Sequence, residues 1–332
     1  MSKGKGVVLI SGGLDSLLAA RVLMDQDLDL MGFHGVLPFV APDALPENLK
    51  PVQLASRINL ETRVHRCGKE YIDIIRNPAH GYGKHANPCI DCHIYFIKKA
   101  AELMHELKAD FVATGEVVGQ RPMSQMRHTM NHIEKETGLK GRLLRPLSAK
   151  LLKPTIPEEE GIVDRNRLLG INGRSRKEQF ELAGNYAINE YESPSGGCLF
   201  TDKFISQRVR DLLEKHSEVD AVDMYLLTIG RHYRISDLAK IIVSRNEREN
   251  NELDKYRGRA DYFFLPAFKG PAVLVKGIIN ETEIAIIGSI IRRYGKIELD
   301  APRIVVFKND VAMTTISVSD SASDEFLERL RI

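Results

Sequence analysis

The chain has 332 residues, a formal net charge of +2 and a hydrophobic content of 43%. This length is enough for two domains, and the apolar fraction is typical of proteins with packed cores. No apolar run is long enough for a transmembrane helix, and residues 1–5 lead directly into a predicted strand, so we expect a cytoplasmic protein without a membrane anchor or secretory signal. The mild charge excludes a strongly basic whole-molecule field, so any nucleic-acid site must be a local patch.

The first predicted strand, residues 7–10, ends at a turn that contains two glycines, and a helical pattern follows at once. A turn at a helix N-terminus presents unpaired backbone N–H groups, and adjacent glycines let a phosphate approach the main chain closely. Because no lysine follows the glycines, the turn differs from the loop that holds a transferable terminal phosphate. A carboxylate in the turn would repel phosphate unless Mg²⁺ lay between them. The predicted nucleotide ligands are Ser11, Gly12, Gly13, Asp15 and Ser16.

This Ser-Gly-Gly-Leu-Asp-Ser stretch, residues 11–16, resembles the signature of the PP-loop ATP pyrophosphatases. Enzymes of that family release pyrophosphate from ATP and leave an adenylated substrate. The resemblance implies ATP and Mg²⁺ at the turn, in the fold of the adenine nucleotide alpha hydrolases. The alternative is a capped Gly-Gly turn of the kind that many α/β proteins contain.

Further strand patterns alternate with helical ones along the first half of the chain. Such alternation indicates an α/β fold with a doubly wound parallel sheet, in which the ligand lies in the crevice beyond the strand C-termini. The predicted strands after the first are residues 30–36, 61–67 and 110–116, and the predicted helices include 52–58 and 94–107.

The chain has four cysteines, Cys67, Cys89, Cys92 and Cys198. The Cys-x-x-Cys pair precedes a predicted helix, where the dipole lowers the pKa of a thiol. Cys198 lies in a stretch rich in Pro and Gly, which could bring it to the pair. Three thiolates would suit a four-iron cluster with one iron open to another ligand. The alternatives are a persulfide or disulfide pair, a zinc site completed by His85 or His93, or three unrelated thiols.

Two further patterns point to tRNA thiolation. Residues 87–92, a helix and residues 113–115 resemble the tRNA 2-thiouridylases, while residues 114–125 and 144–147 are similar to the tRNA 4-thiouridine synthetases. Both families adenylate a uridine carbonyl oxygen and replace it with sulfur. The resemblance implies Asp15 and the three cysteines as catalytic residues. It also implies a nucleotide and uridine pocket lined by Gly115, Glu116, Gln120 and Ser124.

The sequence departs from the bacterial 4-thiouridine synthetases, in which RNA-capturing domains precede the PP-loop, because only five residues precede the strand here. Another part of the chain is therefore expected to bind the RNA. The cysteine pattern is more similar to the cluster-dependent thiolases of archaeal and thermophilic type, which take sulfide on the open iron. Nothing resembles a rhodanese domain, so we expect free sulfide or a cysteine desulfurase as the sulfur donor.

The pattern changes near Asp202, which divides the chain into a PP-loop domain, residues 1–202, and an α+β domain, residues 203–332. Residues 230–235 and 240–246 resemble the RNA-binding domain of the NFACT family. A structural or dimerising domain, and with it a homodimer, is the alternative because the acidic and basic residues of this part nearly balance. The residues predicted to bind RNA are Arg174, Arg176, Lys177, Arg231, Arg234, Lys240 and Arg245.

The sequence therefore predicts a tRNA uridine thiolase, with 4-thiouridine favoured over 2-thiouridine. One alternative is a 2-thiouridylase that works through a cysteine persulfide. Another is a non-catalytic, nucleotide-sensing RNA-binding protein, and a third is a PP-loop ligase acting on a small molecule.

Overall fold

The computed structural model describes residues 4–192, 198–296 and 302–332. Contacts between residues divide the chain into two units. The first unit runs from the N-terminus to Ser206 and includes Ser217–Val222, and the second consists of Gln207–His216 and Asp223–Ile332. No helix in the described part of the chain is long and apolar enough to span a membrane.

A parallel sheet organises the first unit. Within residues 4–192 it has five strands in the order β3-β2-β1-β4-β5, and every neighbouring pair is parallel. The strands are β1 (Lys5–Leu9), β2 (Asp29–Val36), β3 (Thr62–Arg66), β4 (Phe111–Ala113) and β5 (Leu143–Leu144). The predicted α/β fold with a parallel sheet is confirmed.

Helices cover both faces of this sheet. They are α1 (Leu14–Met24), α2 (Lys50–Arg57), α3 (Lys69–Arg76), α4 (Cys89–Glu106), α5 (Arg127–Glu136), α6 (Ile156–Glu159) and α7 (Lys177–Asn185). Alternation along β1 separates two cores, because successive side chains of a strand point to opposite faces. Val8 packs with Leu17 and Leu18 of α1, whereas Val7 packs with Ile97 of α4 and with its neighbours. The sheet is therefore doubly wound.

The strand order places the candidate site. The chain continues from β1 to β2 and β3 on one side and returns to β4 on the other side of β1, so the direction of winding reverses between β1 and β4. In open α/β sheets ligands bind beyond the strand C-termini at such a switch point. The Gly-Gly turn follows β1, and residues 114–116 follow β4. Both predicted parts of the nucleotide site therefore lie at one edge of the sheet.

Three local features of the first unit differ from the prediction. Helix α4 begins at Cys89 and not near residue 94, which puts both cysteines of the pair inside its first turn. Strand β4 ends at Ala113, so residues 114–116 belong to the loop of the site. Helix α3 was not predicted from the sequence.

The second unit contains an antiparallel sheet. In its described part, six strands follow the order β11-β10-β8-β9-β7-β6. They are β6 (Arg231–Ser236), β7 (Ala239–Val243), β8 (Tyr262–Pro266), β9 (Val273–Gly277), β10 (Arg303–Lys308) and β11 (Val311–Ser317). The helices from the end of the first unit onward are α8 (Lys203–Lys215), α9 (Ala221–Leu226), α10 (Glu247–Asp254), α11 (Glu281–Tyr294) and α12 (Asp324–Leu330).

Helix α11 packs on one face of this sheet. Its Ile287 and Ile290 are buried against strand residues such as Val275 and Ile304. The predicted α+β character is confirmed. The apolar run over residues 224–229 is strand-like in the sequence, but these residues form the end of α9 and the turn after it. Periodicity alone does not distinguish a short apolar helix from a strand.

Candidate active site

Hydrogen bonds of the Ser16 side chain stabilise the Gly-Gly turn, residues 11–16. Gly12 has a φ of +80°, and a Cβ atom there would lie 3.1 Å from the ring of Pro51. Gly13 caps α1 with extended backbone. The Ser16 hydroxyl donates to the Gly13 carbonyl at 2.8 Å, and the backbone N–H of Ser11 donates to the Ser16 oxygen at 3.3 Å. The turn is therefore shaped before any ligand arrives, and neither its φ nor the space at Gly12 suits a larger residue.

Asp15 lies at the centre of a polar cluster. Its carboxylate accepts a hydrogen bond from Gln120 Nε2 at 2.7 Å and forms an ion pair with Arg176 Nη2 at 3.1 Å. Gln120 Oε1 in turn accepts from Gln179 Nε2 at 3.0 Å. The buried Nε and Nη1 atoms of Arg176 have no hydrogen-bond acceptor among the described residues. Since buried polar groups are nearly always paired, these two donors indicate a place for an anion beside Asp15.

The position of Arg176 differs from the one expected of an RNA-binding residue. The sequence placed it with the RNA-binding residues, but its side chain is only 15% exposed and contacts the nucleotide turn. The signal that could have found it is weak, because Arg176 follows Asp15 by 161 positions.

Gly115 brings the loop after β4 against the turn. A Cβ atom on Gly115 would lie 2.6 Å from the carbonyl of Asp15 and from the backbone nitrogen of Ser16. Only glycine allows this approach without displacing the start of α1. The next residue, Glu116, is thereby fixed close to the turn.

A chain of hydrogen bonds leads from Glu116 to a cysteine. The Glu116 carboxylate contacts His93 Nδ1 at 3.0 Å and accepts from Arg145 Nε at 3.1 Å, and His93 also bonds to Cys89. Arg145 is 3% exposed and Glu116 5%, so their pair is buried. His93 is four residues after Cys89 on α4, which places the two side chains on the same helix face. Glu116 therefore orients His93, and His93 contacts the thiol.

These contacts set the protonation of the chain. Burial opposes the charge on Glu116, but the guanidinium of Arg145 and then His93 outweigh it and lower the pKa of Glu116 to about 2. Burial likewise opposes the charge on His93, yet its hydrogen bonds to Cys89 and Glu116 raise the pKa of His93 to about 10. For Cys89, the effect of the nearby His93 outweighs that of burial, so the pKa of the thiol is lowered. The geometry thus favours a thiolate at Cys89.

The other two cysteines lie near Cys89 but differ from it chemically. Burial raises the pKa of Cys92 to about 12, and the nearby charges of Cys198 and Cys89 act in the same direction. Tyr71 donates its hydroxyl to Cys92 Sγ at 3.1 Å. Burial also raises the pKa of Cys198, and Cys89 adds to this. The expectation of a lowered pKa for both members of the Cys-x-x-Cys pair is therefore wrong for Cys92, because burial outweighs the helix dipole there.

The three cysteines converge, although the loop predicted to bring Cys198 to the pair, residues 193–197, lies outside the described residues. Cys198 Sγ is 3.8 Å from Oδ1 of Asn87, which lies two positions before Cys89. Cys67, by contrast, is 3% exposed at the end of β3, as predicted for a packed residue.

Zinc and iron–sulfur sites differ in how their ligands are spaced. Among the described residues, no group of three or more His, Cys, Asp or Glu side chains is arranged to hold one metal ion. A zinc ion would need such a group, with all its ligands around one point. In an iron–sulfur cluster each thiolate binds a different iron, so the sulfurs stand farther apart.

The remaining predicted pocket residues also lie near this site. Ser124 is fully buried and lies near Cys89. Glu192, which was not predicted as a site residue from the sequence, lies against the Gly-Gly turn. Its backbone N–H donates to the Gly12 carbonyl at 2.8 Å, and burial raises the pKa of its carboxyl. Glu192 is held there by an isolated parallel β-bridge between Gly13 and Glu192. No local sequence motif predicts this contact.

The basic residues predicted to bind RNA divide into two groups. Arg174, Lys177, Arg231 and Arg245 keep at least part of their side chains accessible. Arg234 and Lys240 instead pair with Asp211 in the second unit, at 2.6 Å and 3.2 Å. Lys240 is 4% exposed, so its ammonium group is buried beside Asp211 and is not accessible to a phosphate. The assignment of Arg234 and Lys240 to RNA binding is corrected accordingly.

Two family models match the chain. Residues 1–155 match the family described as "Thiamine biosynthesis protein (ThiI)", and residues 230–330 match the "NFACT protein RNA binding domain". Both resemblances inferred from the sequence are thereby confirmed, one for each part of the chain.

Curated relatives match the same N-terminal part. A tRNA-specific 2-thiouridylase MnmA of Petrotoga mobilis is 30% identical over 131 residues, which cover 35% of this chain and 36% of the relative. A probable tRNA sulfurtransferase of Ureaplasma parvum is 27% identical over 121 residues, covering 35% of this chain and 30% of the relative. The chain thus spans about a third of the length of these relatives.

Two solved structures are also similar. A 4-thiouridine synthetase in complex with RNA and ATP is 18% identical, with a TM-score of 0.35, covering 56% of this chain and 52% of that one. The U34-tRNA thiolase NcsA of Methanococcus maripaludis with its [4Fe-4S] cluster is 18% identical, with a TM-score of 0.34, covering 68% and 70%.

Proposed function

We propose that this chain is an ATP-dependent tRNA sulfurtransferase that replaces a uridine carbonyl oxygen, with 4-thiouridine as the favoured product. The observation that carries the proposal is the continuous path from the nucleotide turn to a thiol. Gly115 packs on Asp15, Glu116 follows it in the chain, and His93 joins Glu116 to Cys89. An enzyme that activates an oxygen with ATP and then exchanges it for sulfur needs these two chemistries side by side.

The turn and its neighbours would bind ATP. Backbone N–H groups at the start of α1 favour the phosphates, and Mg²⁺ would lie between them and the Asp15 carboxylate. Arg176 supplies two donors that lack an acceptor among the described residues, so it suits a phosphate oxygen. Residues Ser11, Gly12, Gly13, Asp15 and Ser16 keep the role that the sequence predicted, and Gln120 positions Asp15.

The reaction then has two stages. The uridine oxygen attacks the α-phosphorus of ATP, and pyrophosphate leaves with the electrons of the broken P–O bond. Sulfur attacks the activated carbon, and AMP leaves with the former uridine oxygen. Donors fixed in advance stabilise the charge that grows on phosphorus oxygens, which is usually the largest contribution to such catalysis.

The cysteines would supply the sulfur. A four-iron cluster held by Cys89, Cys92 and Cys198 would leave one iron free to carry sulfide. His93 holds the thiolate form of Cys89, and Glu116 fixes the orientation of His93. The persulfide alternative uses the same thiols without iron, and the lowered pKa of Cys89 favours that thiol as the attacking partner.

The domain assignment completes the proposal. Residues 1–202 would carry the chemistry, and residues 203–332 would bind tRNA in the cytoplasm, with sulfide or a cysteine desulfurase as donor. Of the predicted contacts in this second part, Arg231 and Arg245 remain because their side chains stay accessible, although Arg245 also pairs with Glu249. Arg234 and Lys240 are less exposed and pair with Asp211. A homodimer is compatible with this arrangement.

Reaction of the purified chain with ATP, Mg²⁺, sulfide and unmodified tRNA tests the proposal. We expect tRNA-dependent release of pyrophosphate and a thiolated nucleoside in the digested tRNA, detected by mass spectrometry. Anaerobic reconstitution with iron and sulfide separates the sulfur mechanisms. Full activity of Cys198→Ala, without a broad iron–sulfur absorption band, would exclude the cluster. Binding of tRNA without any pyrophosphate release would favour the nucleotide-sensing alternative instead.

A further inference from the structure

A cavity of about 550 Å³ lies in the first unit beside the edge strand β5. Its lining includes Leu143 and Leu144 of that strand and Leu152, so part of it is apolar. Its volume falls in the range of small-ligand sites. No residue predicted to bind RNA or nucleotide from the sequence lines it, so the functional site described above does not account for this cavity.

Four basic side chains surround the cavity and are not committed elsewhere. They are Arg127, Lys135, Lys140 and Lys153. All four are exposed, and none makes a side-chain hydrogen bond or ion pair with a residue in the described ranges 4–192, 198–296 and 302–332. The cavity is therefore a local concentration of unused positive charge.

The carboxylates at the cavity do not neutralise this charge. Glu134 accepts from Arg145 Nη1 at 3.1 Å and from the backbone N–H of Gly141 at 2.9 Å. Glu158 is bonded to Thr155 and pairs with Arg165 at 2.5 Å. Both acidic groups are thus used inside the fold. An anion would meet the four basic side chains without competition from them.

Arg145 connects the cavity to the candidate active site. It lines the cavity, and its guanidinium contacts Glu134 through Nη1 and Glu116 through Nε, each at 3.1 Å. Glu116 is the residue that orients His93 against Cys89. A strand of nucleic acid in the cavity would therefore be one side chain away from the sulfur chemistry.

We propose that this cavity, ringed by Arg127, Lys135, Lys140 and Lys153, is a binding site for the phosphate backbone of the RNA substrate. This inference rests on the proposed function, because it assumes that RNA is the substrate. A repeating chain of phosphates suits four separated cations better than a single small anion does. The first unit thus holds RNA itself and does not depend only on the NFACT-type part.

Charge reversal at the cavity tests this site. The full chain with Lys135→Glu and Lys140→Glu is compared with a control that carries Lys98→Glu and Lys108→Glu, two exposed lysines of the same unit. Both double variants change the net charge equally. Binding of an unmodified tRNA transcript is measured by fluorescence anisotropy over a range of salt concentrations. We expect the cavity variant to bind at least about tenfold more weakly and its salt slope to fall by about two, whereas the control changes little.

The outcomes separate the site from the function. Equal weakening in both double variants would show only a general charge effect and overturn the cavity site. Unchanged binding in the cavity variant would also overturn it, while tRNA-dependent pyrophosphate release by the wild type would leave the proposed function in place. If the wild-type chain binds no tRNA and releases no pyrophosphate, both proposals fail. Binding of a fluorescent ATP analogue to each variant confirms that the fold of the first unit is intact.

Discussion

Each unit contains a cluster in which an aspartate meets basic side chains, and the two clusters differ in how their polar atoms are used. In the first unit, Arg176 offers one nitrogen to Asp15 while its buried Nε and Nη1 have no acceptor among the described residues. In the second unit, Arg234 directs both Nε and Nη2 to Asp211, at 2.6 Å and 2.9 Å. The first cluster has donors left for a ligand, whereas the Arg234 fork is already filled.

This difference teaches how to read basic residues in such a chain. Arg176, Arg234 and Lys240 look alike in the sequence, since each lies in a short basic stretch. Once folded, one lies beside the nucleotide turn and two surround a buried carboxylate. A buried guanidinium with unpaired donors indicates a missing anion, while a bidentate pair with a carboxylate indicates a structural role. The predictions below test that distinction.

Replacement of Cys89 should have the largest effect on tRNA thiolation. It compares a thiol of the candidate active site with a buried thiol outside it. We expect Cys89→Ser to lower tRNA thiolation roughly a thousandfold, since both sulfur mechanisms need this thiolate and removal of a covalent participant has effects of that size. Binding of ATP should be retained. Cys67→Ala is the matched control, because Cys67 is buried away from solvent at the end of β3 and burial raises its pKa. Quantification of the thiolated nucleoside by mass spectrometry measures both. Equal loss in the two variants would contradict the assignment.

Removal of the Asp211 carboxylate, which pairs with Arg234 and Lys240, should destabilise the second unit. Asp211→Asn leaves the buried ammonium of Lys240 and the guanidinium of Arg234 without a counter-charge. We expect a loss of about 3 kcal/mol in the free energy of opening, in line with other broken buried ion pairs. Hydrogen exchange of peptides that cover β6 and β7 measures this. Asp237→Asn, at a carboxylate that is 93% exposed, is the control and should cost less than about 1 kcal/mol. A similar result for both would remove the contrast between the clusters.

The sequence predicted the topology around the nucleotide site better than the partners within it. Apolar runs and the glycine turn depend on local residues, so β1, α1 and the parallel sheet followed from pattern alone. The contacts of Arg176 and Glu192 with the turn join positions more than 150 residues apart, and no local pattern contains that information. His93 was within reach, because its spacing from Cys89 places both on one helix face once the helix is known to begin at Cys89.

Replacement of Arg176 tests whether its two donors without an acceptor bind a phosphate of ATP beside Asp15. Arg176→Met should lower ATP-dependent pyrophosphate release about a hundredfold, because it removes the partner of Asp15 and the two unused donors together. The binding of tRNA should change little. The neighbouring Lys177 is 83% exposed, so Lys177→Met provides a control with the same change in charge. If Arg176→Met weakened tRNA binding while ATP chemistry stayed intact, the RNA role predicted from the sequence would be restored.

The smallest effect concerns pH and the buried lysine of the second unit. Burial lowers the pKa of Lys240 from 10.5 to about 8, although the attraction of Asp211 opposes this. Between these two pH values the unfolded chain holds a proton that the folded chain has released, so the free energy of unfolding should rise with pH in this window. Its slope is at most about 1.4 kcal/mol per pH unit.

Lys240→Met lacks this contribution, so the difference in the free energy of unfolding between wild type and variant should grow from pH 8 toward pH 10.5 in urea unfolding followed by circular dichroism. The exposed Lys215 gives the control, since Lys215→Met should keep the wild-type slope. Parallel curves for wild type and Lys240→Met would mean that the lysine is hydrated in the folded chain, and Lys240 would then return to the group of basic residues available to RNA.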